Sequence, residues 1–124
     1  MEKLRPDQHQ APISRLRPRQ EGGVQATLTL YAYVRSENLA PGWDRDRVVA
    51  EITARGVPCY QGSCSEVYLE KAFDGTGWRP EAALPTARDL GETSLMFLVH
   101  PTLTGAEIAK TAEVTTEVMK LAKR

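Results

Sequence analysis

Few side chains in this 124-residue sequence have the type and spacing that chemistry requires. Two histidines, His9 and His100, and two cysteines, Cys59 and Cys64, form no recognised metal-ligand spacing. The cysteines, with four residues between them in a chain that lacks a secretory feature, read as free thiols. His100, just before Pro101, reads as a strand-end residue. An amine nucleophile needs an apolar setting that lowers its pKa. The five lysines do not offer one: Lys3 lies near the N-terminus, and Lys71, Lys110, Lys120 and Lys123 fall on charged helix faces. Phosphate-cradling and nucleophile-elbow motifs are missing as well. The run Asp44, Arg45, Asp46, Arg47 reads as a charged helix start, with a substrate clamp as the alternative. Tyr31 and Tyr33 share one strand face and could stack bases. The basic residues that would track phosphates are missing around them, which favours packing in the core.

Composition narrows the classes further. Sixteen basic and sixteen acidic residues cancel to a net charge of zero, so no global field favours nucleic acid, anionic membrane or acidic substrates. No apolar run has the roughly 18 residues of a membrane span, and the N-terminus lacks the apolar centre of a signal peptide. The expectation is a cytoplasmic protein of one domain.

The elements that would hold these residues can be read along the chain. Residues 1–23 contain five Lys or Arg, three prolines and a Gly-Gly pair without apolar periodicity, and are expected to be a flexible leader or the remnant of a preceding segment. The folded domain is expected over 24–124. Residues 25–35, QATLTLYAYVR, alternate with the two-residue period of a strand. Asp44 can cap a helix bearing Val48, Val49 and Ile52 that Gly56 ends. A short strand over 57–61 follows, then a helix from a Ser65 cap to about Phe73, then the turn residues 74–80. Pro85 suits the first turn of a short helix ending near Gly91. The apolar run SLMFLV, residues 94–99, has strand length and reads as the buried middle of a sheet. Thr104 and Glu107 form a capping box for a last helix. Its stripe of Ile108, Ala112, Val114, Val118, Leu121 and Ala122 is expected to face the sheet. The fold class is therefore α+β: a two-layer sandwich in which about four helices cover a small, mainly antiparallel three-stranded sheet.

In order and spacing, these residues resemble the C-terminal small domain of the DegT/DnrJ/EryC1/StrS family of sugar aminotransferases, which depend on pyridoxal phosphate. That domain has a strand of the type Y-x-Y-x-x-R, matched by Tyr31, Tyr33 and Arg35. Its R-D-x-V helix closed by G-[IV] is matched by Arg45, Asp46, Val48, Gly56 and Val57. A short helix, an apolar strand into His-Pro, and a helix opened by [ST]-x-x-E are matched by Pro85, by His100 with Pro101, and by Thr104 with Glu107. The match spans roughly residues 28–121. It departs after the G-[IV] strand. There the family commonly carries a loop H-Y-P-x-P-x-H-x-Q with histidines near the sugar, whereas this chain runs Gln61, Gly62, Ser63, Cys64, Ser65, Glu66, Val67, Tyr68.

The resemblance implies a substrate-facing loop in which Ser63, Ser65, Glu66 and Tyr68 are candidates for hydrogen bonds to sugar hydroxyls. A helix cap at Ser65 beside a solvated Glu66 stands as the plainer reading. It further implies a parent enzyme that aminates a nucleotide-linked keto sugar, in which the small domain helps to close the cleft. In the family, the lysine that holds pyridoxal phosphate belongs to a large N-terminal domain. The expectation is therefore that this chain has no catalytic residue, binds no cofactor or metal by itself, and needs that missing domain as its partner. The parent is expected to be a homodimer and the fragment a monomer, with neither nucleic acid nor membrane as partner. The competing reading is a free-standing, non-catalytic α+β module that binds a small molecule or another protein.

Overall fold

The computed structural model describes residues 13–15 and 29–124. Four strands form one antiparallel sheet in the order β1 (Ile13–Arg15), β2 (Thr29–Val34), β4 (Ser94–Leu98), β3 (Tyr60–Gln61). The apolar run SLMFLV supplies β4 and has strands on both sides, as its composition predicts. Its register with β2 sets Leu30 opposite Phe97 and Ala32 opposite Leu95 on one face, and Tyr31 opposite Met96 and Tyr33 opposite Ser94 on the other. The pairing of 13–15 with β2 adds a fourth strand that the sequence reading does not expect. The remainder of the expected leader, and the start of the expected first strand, lie outside the described residues.

The first face carries the core. Helices α1 (Arg45–Ala54) and α3 (Gly105–Ala122) pack together over it. Val48, Ile52, Leu95 and Val118 are fully buried, each contributing about 1.5–3 kcal/mol through apolar burial. Sequence chemistry explains the helix ends. The Asp44 carboxylate accepts from the Arg47 amide at 2.7 Å and caps α1. Gly56, at φ +77°, provides the left-handed turn that ends it. At α3 both halves of the capping box form between Thr104 and Glu107.

Three expectations are corrected. The helix expected over 65–73 is replaced by two 3-10 turns, Val67–Leu69 and Lys71–Phe73, broken at an extended Glu70. Across that break the Arg79 guanidinium donates to the carbonyls of Tyr68, Leu69 and Glu70 at 2.8–3.1 Å. Helix α2 (Pro85–Thr93) does not end at Gly91 but runs without a loop into β4. Gly91 is there for close approach: a Cβ on it would stand 2.5 Å from the Ser65 hydroxyl oxygen. The stripe of α3 faces the sheet only in its second half, where Val114, Val118, Met119 and Ala122 are buried, whereas Ile108, Ala112 and Leu121 are exposed. An 18-residue helix is roughly 27 Å long and overshoots a five-residue strand of roughly 17 Å.

Candidate functional site

The start of β4 gathers the polar side chains that sequence reasoning singles out. Ser94 is buried there, and Arg45, with a side chain only 10% exposed, reaches its carbonyl from the first turn of α1 at 2.9 Å. The same guanidinium donates to Asp46 at 2.6 Å, and Asp46 accepts from the Gln61 amide nitrogen at 2.9 Å. These bonds tie the helix start to the last residue of β3, from which the loop over 62–66 departs. Beside the helix start lies a polar hollow of about 280 Å³, lined by Ser36, Asp44, Arg45, Asp46 and Glu92.

The loop lies close against the second face of the sheet. Gly62 bonds through its amide to the Ser94 carbonyl at 3.4 Å and approaches so closely that a Cβ would stand 2.2 Å from the Ser94 hydroxyl. Ser63 shares a hydrogen bond with the Tyr31 hydroxyl. Tyr31 is therefore not a core residue, as the sequence reading favours. It and Tyr33 stand half-buried on the face away from α1 and α3, and Tyr31 anchors the loop. Ser65 turns toward α2 at Gly91 and caps no helix.

Glu66 and Tyr68 form a pair: the Tyr68 hydroxyl donates to the Glu66 carboxylate at 2.8 Å and accepts from the Leu84 amide at 3.0 Å. The Leu84 amide alone would favour the phenolate. The hydrogen bond to Glu66, burial and the Glu66 charge together outweigh it and hold the phenol above its ordinary value. At neutral pH Tyr68 is thus a donor fixed on Glu66, not a base. Arg79, which also pairs with Asp74, secures the carbonyls behind this segment. Arg79 is missed by sequence reasoning, and the only signal for it is an arginine directly following the turn residues 74–78.

The arrangement offers carboxylates and hydroxyls at one end of the sheet. In the hollow each carboxylate already has a donor: Asp44 the Arg47 amide, Asp46 the Arg45 guanidinium and the Gln61 amide, and Glu92 the Arg88 guanidinium at 2.8 Å. Elsewhere, His100 is exposed and its Nδ1 contacts the Thr102 hydroxyl at 2.7 Å. Burial raises the Cys59 thiol to about 11, and partial desolvation together with the Glu70 carboxylate raises that of Cys64. Among the described residues no group of three or more His, Cys, Asp or Glu could hold a metal, and no helix is long and apolar enough to cross a membrane. Lys71, Lys110, Lys120 and Lys123 are all exposed, so none of them fits the amine that would hold pyridoxal phosphate.

No family model matches the chain, and no curated protein matches it. Solved structures do. An aminotransferase from Psychrobacter cryohalolentis is 60% identical over 76% of this chain, which covers 24% of that protein, with a TM-score of 0.73. The aminotransferase TlmJ from Streptoalloteichus hindustanus is 15% identical, with 89% of this chain and 27% of that one covered and a TM-score of 0.69. A DegT DnrJ EryC1 StrS aminotransferase from Brucella abortus is 16% identical, with coverages of 77% and 22% and a TM-score of 0.54. The last two show the fold alone. This chain spans about a quarter of the length of the aminotransferases it matches. It is an aminotransferase-related domain and resembles the C-terminal small domain of the DegT/DnrJ/EryC1/StrS enzymes.

Proposed function

We propose that this domain serves as the C-terminal small domain of an aminotransferase that depends on pyridoxal phosphate and aminates a nucleotide-linked keto sugar. The observation that carries the reading is the 60% identity to a solved aminotransferase over three-quarters of the chain. At that level side chains as well as backbone correspond, which fold likeness alone does not require. The cofactor, when bound by the parent, supplies the electron sink for moving an amino group, and it belongs to the large domain, because no described lysine here suits it.

The domain's own part is to help close the cleft and to present the loop over 62–68 to the substrate. Ser63, Ser65, Glu66 and Tyr68 are proposed as the substrate-facing residues. Ser63 and Ser65 offer hydroxyls and Glu66 a carboxylate, groups that suit the hydroxyls of a sugar ring. The parent is proposed to be a cytoplasmic homodimer.

Sequencing the coding frame upstream of Met1 tests the reading. It expects an open frame that encodes a larger domain with a cofactor lysine. A stop codon directly upstream, with no such domain nearby, overturns it in favour of a free-standing module. Spectroscopy adds a check on the lysines. The isolated chain, mixed with pyridoxal phosphate, is expected to develop no specific, stoichiometric imine absorbance, and such a signal would show that one of the lysines is activated after all.

A further inference from the structure

Of the four side chains proposed to face substrate, Glu66 is the one that carries charge at neutral pH. Its carboxylate has a single hydrogen-bond partner among the described residues, the Tyr68 hydroxyl, which donates to Oε1 at 2.8 Å. Both side chains are half-buried. Tyr68 is itself held from two sides. Its carbonyl accepts from the Arg79 Nε at 2.8 Å, which fixes the backbone of the 3-10 turn Val67–Leu69. Its hydroxyl accepts from the amide of Leu84, the residue that precedes α2, at 3.0 Å. A phenol has one proton to give. With the amide on the acceptor side of the oxygen, that proton is directed at Glu66. The second carboxylate oxygen, Oε2, has no partner among the described residues. Arg88 of α2 is close enough to interact with the Glu66 charge, yet its guanidinium bonds Glu92 at 2.8 Å and leaves that oxygen open.

Resting on the aminotransferase reading above, we propose that Tyr68 is a positioning residue: it holds one oxygen of Glu66 so that the other accepts a hydrogen bond from a hydroxyl or N–H of the sugar. The phenol serves the site through the carboxylate, because its own proton and its amide bond are already committed. A glutamate on an unbraced loop would lose its rotamer freedom on meeting substrate, whereas one fixed by a phenol has lost it on folding. The chain from Leu84 through Tyr68 to Glu66 thus lets the start of α2 set the aim of a side chain eighteen residues earlier in the sequence.

Two measurements test this. The first reads the bond in the 124-residue chain. The Leu84 amide lowers the Tyr68 phenol, but Glu66 and burial outweigh it and hold the phenol above its ordinary value. Glu66→Ala is therefore expected to bring the Tyr68 titration down, read by NMR of the ring carbon that bears the hydroxyl. A Tyr68 titration indifferent to Glu66→Ala would overturn the proposal.

The second reads the role, in a chimera in which residues 29–124 replace the matching quarter of the Psychrobacter aminotransferase. Tyr68→Phe is expected to raise KM for a nucleotide-linked keto sugar about tenfold, the loss of one hydrogen bond to a charged group, with KM for the amino donor unchanged. In a Glu66→Ala background the same substitution is expected to change neither value further. Leu84→Pro removes the orienting amide at a φ of −86°, near the proline range, and is expected to raise the sugar KM in the same direction. It carries the test where Tyr68→Phe does not fold, and an unchanged sugar KM there would count against the proposal. Losses of equal size with and without Glu66, or a rise in both KM values, would overturn the positioning role and leave the aminotransferase reading intact. A folded, cofactor-loaded chimera that forms no amino sugar, with the bond present in the first measurement, would overturn that reading and the positioning role with it.

Discussion

Gly62→Ala is the sharpest probe of how the loop over 62–68 is held. The glycine is not required by its backbone, because the positive φ values fall at Gly42, Gly56, Gly75 and Gly77. It is required by space. An added Cβ would sit 2.2 Å from the Ser94 hydroxyl oxygen, 2.6 Å from the Ser94 Cβ and 3.2 Å from a ring carbon of Tyr31. The first distance is more than an ångström short of ordinary contact, and the obstacle is a short, buried side chain on the central strand, not the tip of a long one. Overpacking of this kind costs about 1–3 kcal/mol. The smaller conformational entropy of alanine in the unfolded chain returns about 0.4–1 kcal/mol. The net expectation is a loss of about 1–2 kcal/mol, read as a lower urea midpoint at unchanged slope. Ser94→Gly removes the obstacle, so the double variant should be less destabilised than the sum of the two single changes, by about 1 kcal/mol. A Gly62→Ala chain as stable as the parent, or strict additivity in the double variant, would show that the loop does not rest on Ser94 in this way.

Other perturbations separate the buried from the exposed. Leu95→Ala, at a fully buried position of the central strand, should cost about 2–5 kcal/mol in urea unfolding, whereas Ile108→Ser should stay within about 0.5 kcal/mol in the isolated chain. Bonds from the Thr104 amide and hydroxyl hold the Glu107 carboxyl below its ordinary value. Its contribution to stability is therefore complete above the unfolded carboxylate pKa and fades as pH falls through the lowered folded value. Thermal melts of Glu107→Gln should accordingly show a shallower loss of Tm toward acid pH than the parent. An aromatic disulfide reagent at neutral pH should modify the exposed Cys64 in the native chain and reach the buried Cys59 only on unfolding. Simultaneous reaction of both thiols would contradict the packing around α1. Arg79→Ala should speed amide exchange over residues 67–74 without altering exchange in α3, since the guanidinium holds the loop carbonyls and the Asp74 carboxylate.

The helices and the central strand were legible in the sequence because their signals are local. Asp44 with Gly56 and Thr104 with Glu107 define helix ends through bonds to nearby backbone, and SLMFLV is too apolar and too short to be anything but an inner strand. What the sequence did not disclose depends on contacts distant in the chain. Arg79 bonds carbonyls nine to eleven residues back, across the break in the helix that a Ser65 cap predicts in isolation. Gly91 looks like a helix stop until Ser65 is found against it. Periodicity puts Ile108 and Ala112 on the buried stripe of α3, but periodicity carries no information about how far the sheet extends beneath a helix. In the site, the types of residue were visible, whereas the bond from Tyr31 to Ser63 joins positions 32 apart and had no local signature.

The central claim is that this domain completes an aminotransferase, and it is tested most directly by turnover of a chimera in which residues 29–124 replace the matching quarter of the Psychrobacter aminotransferase. With the large domain loaded with its cofactor and given glutamate and a nucleotide-linked keto sugar, the account predicts amino sugar formed at a rate that falls when Glu66→Ala is introduced. A folded, cofactor-loaded chimera that forms no amino sugar from any such acceptor would contradict it.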